Sequence, residues 1–299
     1  MIGSRTPVGR SGRPGSWTRR GGAGPTGGPA RRAALCGAGM LLAAGVLAPY
    51  AVMLLTALKP ADELRVTPPR LLPVRWAFEN FPAVLADSAF QSWLRVSLLV
   101  ALASTALVVA AAVPAAYYTA RHRFRGRSAF LFLVLVSQMF APTALVVGLY
   151  REFFVWGLVN TYTALILTNA AFNLAFAIWI LRAFFASIPR ELEEAAAVDG
   201  CSRAGALARV VLPLASPGIV TAVIFSFIAA WNEYIVALTL MSTADKRPLT
   251  VGITSYVTAY VQHWDLLFAA SIVAIVPVVV LFALIEPYLV GGLTAGGVK

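Results

Sequence analysis

Six long runs of the chain carry no charged side chain, and the charges crowd into the segments between them. The runs are 33–58, 96–120, 128–150, 153–181, 210–232 (carrying on past Glu233 to about 241) and 266–285. About 20 residues at a rise of about 1.5 Å cross a hydrocarbon core of roughly 30 Å. Every run is that long, so the pattern predicts six transmembrane helices in an all-α, polytopic membrane protein. The short alternating segments of a membrane β-barrel are absent. Pro49, Pro114, Pro142, Pro217 and Pro277 interrupt the runs. Membrane helices tolerate proline where neighbours or water satisfy the freed carbonyls, so these positions carry little weight. Residues 1–32 are rich in Gly, Pro, Ser and Arg, cannot bury a core, and read as a disordered basic cytoplasmic tail. The expected organisation is this tail, a first transmembrane helix at 33–58, a transmembrane core at 91–290 with a charged loop at 187–213, and a cytoplasmic C-terminal tail at 291–299.

Composition agrees with the pattern. Of 299 residues, 59% are apolar and 12% charged, against about a quarter charged in soluble domains. The formal net charge is +11, from 24 Lys+Arg and 13 Asp+Glu. The basic residues sit between the apolar runs, where they act as topology signals and not as a nucleic-acid surface. The alternation of sides places 16 of them with the two termini and 8 opposite, which predicts both termini in the cytoplasm. The outer segments are then 59–95, a tight turn at Arg151-Glu152, and 242–265. Cys36 and Cys201 form no disulfide framework or zinc pattern. The only histidines, His122 and His263, fall on opposite sides of the membrane. No His-Glu-x-x-His, Gly-x-Ser-x-Gly or aspartate-rich metal motif is present, which argues against a membrane enzyme and a metal site.

The loop between the fourth and fifth runs is unusual. It carries Arg190, Glu191, Glu193, Glu194, Asp199, Arg203 and Arg209. Each would cost about 2.5–3.5 kcal/mol at a bilayer centre, so the segment lies outside the hydrocarbon. Ser187 and Pro189 suit a helix start, and the three glutamates favour the positive end of a helix dipole. Leu192, Ala195 and Ala196 share one face, with alanines small enough for another backbone to approach. Gly200 suits a C-cap, and Ser202 can cap a second short helix ending before Pro213. The alternatives are a docking element for a partner and a surface helix lying on lipid headgroups.

Here the sequence resembles a known family. Glu194-Ala195-Ala196, Gly200 and Val210-Val211-Leu212-Pro213 are spaced as in the signature loop of ABC importer permeases, with Val210 in place of the usual isoleucine. The resemblance implies a type I ABC importer transmembrane domain whose loop is a coupling helix that inserts into an ATPase subunit. Glu194 and Gly200 would be central to that docking, with Ala195, Ala196, Asp199, Leu212 and Pro213 beside them.

Further stretches narrow the resemblance to carbohydrate permeases of the maltose-transporter type, and to the smaller permease of their heterodimer. They are Trp231-Asn232-Glu233-Tyr234, the ending Gly292-Leu293-Thr294-Ala295-Gly296-Gly297-Val298-Lys299, and Thr56-Ala57-Leu58-Lys59-Pro60 with Asn80-Phe81. Val96 departs from the asparagine often found there. The resemblance covers about residues 33–299. It implies a permease subunit in the bacterial cytoplasmic (inner) membrane that moves a sugar or oligosaccharide inward by alternating access. The implied partners are a second permease, a pair of ATPase subunits that use ATP and Mg, and an extracytoplasmic sugar-binding protein. The chain has no phosphate-binding Gly-x-x-x-x-Gly-Lys motif, so it is expected to bind no cofactor and to be no enzyme itself. A permease for another small solute, such as a polyamine or an anion, is the alternative; a self-contained secondary transporter would not need the exposed loop.

Asn232 and Glu233 are the candidate residues for the substrate path or a gate, since a carboxylate inside a span is a functional hypothesis by default. The competing reading is an interhelical hydrogen bond that fixes packing, and packing or gating is favoured over sugar contact. Gln138, Asn169 and Asn173 are weaker candidates of the same kind. Glu286 is expected to reach water, and Trp93 and Trp156 to anchor at the membrane interfaces.

Overall fold

The computed structural model describes residues 29–295 apart from Ala259 and Val261, with side chains between 33 and 284. The tail up to residue 28 and the last four residues of the C-terminal ending lie outside the described residues, as does the side chain of Glu286. The described chain divides into two units, one ending at Pro49 and one beginning at Tyr50. Among the described residues the structure is all α, apart from one isolated bridge between Val257 and Gln262. Helices α1 (Pro29–Ala57), α3 (Ser88–Arg121), α6 (Tyr162–Ser187) and α13 (Trp264–Ala295) each contain a stretch long and apolar enough to cross a membrane. Two bent pairs bring the number of candidate spans to six if each pair is one span. The first is α4 (Arg127–Ser137) with α5 (Pro142–Val155). The second joins the stretch Arg203–Leu214 to α10 (Ser216–Trp231).

Within the second unit, α3 is the central post. It packs most extensively against α6 and α10 and contributes to three apolar clusters. Val108, Ala112 and Ala116 meet Ile178, Leu181 and Phe185 of α6. Phe90, Trp93 and Ala101 meet Phe227 and Trp231 of α10. Val96 and Val100 meet Phe153 and Leu165. Small residues recur on these faces because lipid tails are as apolar as leucine; close backbone approach, not water exclusion, favours association. Large apolar side chains such as Leu102, Phe132, Val147 and Leu284 point outward. On a soluble protein such a surface would mark a large binding patch; here it is what lipid requires.

Helix α1 begins at Pro29, inside the predicted tail, α3 at Ser88, ahead of its run, and α6 at Tyr162, well after the start of its run; two further runs bend at proline. The third run is not one helix. It breaks at 138–141 and turns by 97° before Pro142, which starts α5. Proline pushes the preceding residue out of the helical region, and Ala141 is extended (φ −69, ψ 133). As a result α5 runs through Arg151 and Glu152 to Val155, and the turn falls at 156–161. The expected Arg151-Glu152 turn is thus corrected. The fifth run likewise starts at Ser216, after a 75° bend at Ala215, with Pro217 in its first turn. Pro114, by contrast, lies inside α3 without ending it.

Two segments close the far end of the post. Helix α2 (Asn80–Ala86) is fastened to the end of α1, where the buried Asn80 amide donates to Ala57 O (2.8 Å) and Lys59 O (3.0 Å). The Lys59 ammonium donates to Arg70 O. Between them the Glu63 carboxylate accepts from the Val74 and Arg75 N–H groups, both at 3.0 Å. Those bonds, Val74 first, hold the carboxyl below its ordinary range. The segment that includes α12 (Leu249–Gly252) packs on the N-terminal end of α3. Trp93, expected at an interface, is instead buried there and donates to Ala244 O (3.0 Å), whereas Trp156 stays 62% exposed.

Candidate functional site

The charged loop folds into a capped helical hairpin. Helix α7 (Glu191–Val198) has Arg190 at its N-cap and Glu191, Glu193 and Glu194 in its first turn, where the helix dipole favours them. Ser187 does not start it; that residue ends α6 and its hydroxyl donates to Phe184 O. Gly200 ends α7 at φ +84, a left-handed conformation that costs most residues energy. Its N–H donates to Ala197 O (3.1 Å) and the Cys201 N–H to Ala196 O (2.9 Å), the paired bonds of a Schellman ending. Ser202 then caps the second helix, its hydroxyl accepting from Gly205 N–H at 3.1 Å. That helix does not stop before Pro213. It runs from α8 (Arg203–Ala206) through a π turn (Leu207–Val211) into α9 (Leu212–Leu214). Pro213 stands just after the π turn, in which the Leu212 N–H donates to Leu207 O.

The hairpin has two distinct faces. Ala196 (7% exposed), Ala206 and Val211 turn inward. Glu191, Glu194, Ala195, Val198, Asp199 and Gly200 face out, with Val198 88% exposed. The expected apolar face is therefore split: Leu192 and Ala195 are exposed and Ala196 is not. Leu212 is half-buried and Pro213 exposed.

Beneath the outer face lies a polar contact that sequence reasoning missed. Glu193 points inward and pairs with Arg121 at the end of α3, Nε to Oε1 at 2.6 Å, with the two side chains only 7% and 18% exposed. The Tyr117 hydroxyl donates to Glu193 Oε2 (2.7 Å). The Arg121 guanidinium also donates to Ile188 O (2.9 Å), and the Arg190 guanidinium to Arg121 O (2.8 Å). These bonds fasten both ends of the α6–α7 connection to α3, beside a cleft of about 270 Å³ lined by Tyr117, His122, Glu194 and Arg203. Arg121 reads in sequence as one basic residue among several at a span end, and Glu193 as one acid among three. The only available signal was Tyr117, a hydroxyl one helical turn before Arg121 and so on the same face.

The Trp231–Tyr234 element forms a second, separate region. Helix α10 stops at Trp231, whose indole stacks on Phe227 (5.6 Å between centroids) and donates to Ala274 O (3.2 Å). The chain restarts as α11 (Ile235–Leu240). Glu233 makes that restart possible: its carboxylate accepts from Val236 N–H (2.7 Å) and Ala237 N–H (2.9 Å), two of the amide groups a helix start leaves unpaired. The Thr250 hydroxyl donates to Glu233 O at 2.7 Å. The carboxylate is thus a helix cap and not an interhelical bond. Asn232 is exposed beside a cavity of about 280 Å³ lined also by Thr250, Ile253, Ser271 and Ile275. Of the weaker candidates, the two asparagines bond within their own helix and Gln138 bonds across to α6. Asn169 donates to Leu165 O and Asn173 to Asn169 O, and Gln138 reaches Phe172 O. Among the described residues no three potential metal ligands converge.

The family model of the binding-protein-dependent transport system inner membrane component matches residues 111–293. The sulfoquinovosyl glycerol transport system permease protein of Agrobacterium fabrum is 39% identical over 262 residues, covering 88% of this chain and 92% of its own. A diacetylchitobiose uptake system permease protein of Streptomyces coelicolor is 34% identical, covering 87% and 94%. Among solved structures, a chain of a bacterial ABC transporter involved in the import of the acidic polysaccharide alginate superposes with a TM-score of 0.75 at 24% identity, over 87% of this chain and 98% of that one. At that identity the likeness is one of fold.

Proposed function

The chain belongs to the family of binding-protein-dependent transport system inner membrane components, and on that premise we propose that it imports a sugar or oligosaccharide, taking its driving force from a separate ATPase docked on the α7–α8 hairpin. It is a multi-pass permease subunit of an ABC importer, a transport component and not an enzyme. The observation that carries the docking assignment is the two-faced hairpin. Among the described residues, its outer face of Glu191, Glu194, Ala195 and Val198 joins none of the packed clusters, yet Gly200 and Ser202 hold its shape.

In this reading Glu194, Ala195, Ala196, Asp199, Gly200, Leu212 and Pro213 serve ATPase coupling. Ala196 acts from the inside by holding α7 down, and the exposed residues make the contact. The 33–58 segment is the first span, 91–290 the translocating core, 187–213 the coupling loop and 291–299 the terminal tail. The 16-to-8 distribution of Lys and Arg puts both termini and the hairpin in the cytoplasm. A second permease completes the pathway, a pair of ATPase subunits uses ATP and Mg, and an extracytoplasmic binding protein delivers the solute. Asn232 lines the path, and Glu233 shapes it by holding the break between α10 and α11 open to that side. The sugar assignment is supported by the names of the relatives and by the Trp231–Tyr234 element, not by the hairpin.

The test is uptake of labelled carbohydrates by cells with and without this chain, and with Gly200→Trp in its place. Loss of carbohydrate uptake in both deletion and variant, with the variant protein still in the membrane, is the expected result. Unchanged uptake in Gly200→Trp removes the hairpin from coupling; loss of polyamine or anion uptake instead reassigns the solute.

A further inference from the structure

Helix α3 is longer than a membrane requires. Its 34 residues extend about 51 Å, against roughly 30 Å of hydrocarbon, so it projects beyond the lipid at its ends. Both ends are clamped. At the C-terminal end are the Arg121–Glu193 pair, the Tyr117 hydroxyl and the Arg190 bond to Arg121 O. At the N-terminal end the Asp87 carboxylate caps α3 through Ala89 N–H (2.9 Å) and accepts from the Tyr256 hydroxyl (2.7 Å). Ser92 donates to Asp245 O (2.9 Å), Trp93 to Ala244 O (3.0 Å), and Leu249 N–H donates to the Ser97 hydroxyl (2.7 Å). Gly252 lies so close to the Trp93 ring that a β-carbon there would stand 2.1 Å from it. The same outer segment reaches the break in the fifth span through the Thr250 bond to Glu233 O.

We propose that α3 is a rod that carries displacement of the α7–α8 hairpin across the membrane to the outer segment at 244–256, and through it to the chain break at Asn232 and Glu233. Arg121 and Glu193 are positioning residues at one clamp, and Asp87 and Tyr256 at the other. The inference rests on the docking role proposed for the hairpin and adds the route by which docking is felt on the far side. Coupling between distant sites travels through stiff elements joined by packed and hydrogen-bonded contacts. A continuous helix with both ends tied has that form, whereas α7 itself is too short to reach beyond its own surface.

The test uses the complete reconstituted transporter with Asn232→Cys as a reporter, in a background of Cys36→Ser and Cys201→Ser. The rate of labelling by a membrane-impermeant maleimide is measured with and without ATP–Mg and vanadate, and ATP hydrolysis is followed in parallel. The reference should show a labelling rate that responds to nucleotide by about five-fold or more, the lower range of allosteric couplings. Glu193→Gln should abolish that response while hydrolysis continues, and Tyr256→Phe should weaken it from the opposite end. A full response in either variant, or no response in the reference, overturns the proposal. If Glu193→Gln prevents assembly, Tyr256→Phe decides alone, since it lies far from the hairpin: a full response there refutes the rod. A separate Gly200→Trp complex tests the premise. If it retains a fully stimulated ATPase, the docking assignment fails, whatever the clamp variants do.

Discussion

Gly200 allows backbone strain and partner contact to be separated in one series. At φ +84 any L-residue with a β-carbon pays for the left-handed conformation, about 1–2 kcal/mol for alanine. A β-carbon built at Gly200 meets nothing within 4 Å, so there is no steric cost inside the chain. Gly200→Ala should therefore shift the hairpin between its closed and frayed forms by a factor of about 5–30. Gly200→Asn should shift it less, because asparagine tolerates this region. Gly200→Trp carries the same backbone cost as alanine and projects its ring from an exposed position. Any loss beyond that of alanine must then come from a partner surface that packs at this position. The assay is co-purification of the ATPase subunit together with uptake in proteoliposomes. The expected order of activity is Gly, Asn, Ala and then Trp, with Trp inactive and unbound. Equal values for Ala and Trp would refute the reasoning, because they would mean that nothing packs against Gly200 in the working transporter.

Glu233→Ala leaves two helix-start amides unpaired and should cost about 0.5–2 kcal/mol of α11 stability. Glu233→Gln keeps one acceptor and should slow transport while leaving ATPase docking unchanged, which uptake and pull-down measurements distinguish. Gly252→Ala drives a β-carbon into the Trp93 ring and should destabilise the detergent-solubilised protein by about 1–3 kcal/mol, read as a lower melting temperature; an unchanged melting point argues against the interlock. The Glu63 carboxyl is held below its ordinary value of 4.5 by the Val74 and Arg75 N–H groups. Its folded pKa is depressed, so its contribution is complete above about pH 4.5 and is lost as pH falls through the lower folded value. Hydrogen exchange at Val74 and Arg75 should accelerate only in that acidic window, and Glu63→Gln should remove the dependence.

The hairpin was legible because its determinants are local. The glutamates at the start of α7, the glycine at its end and the serine cap of α8 each act within four residues, and local chemistry of that kind is written directly in sequence. The clamp beneath it was not legible. Nothing about Glu193 distinguishes it from Glu191 or Glu194 until α7 is seated on α3 and one of the three is turned toward Arg121. Glu233 stood out as a carboxylate inside an apolar run, but its task could not be read, since whether it faces a neighbouring helix or its own chain depends on where α10 stops.

Hydrophobic runs and local capping signals pointed from sequence to an all-α membrane protein with up to six crossings, and to one charged loop shaped as a capped hairpin. Those properties follow from the cost of unpaired backbone and buried charge in lipid, which applies residue by residue. Only the tertiary structure decided where apolar runs bend, as at Ala141 and Ala215, because hydropathy is blind to direction. It alone decided which charges meet, as at Arg121 and Glu193, and which helix joins the two ends of the core. Pairings between residues remote in sequence depend on how helices pack against one another, and in an apolar chain rich in interchangeable small side chains that packing is set by the whole assembly of faces and not by any one segment.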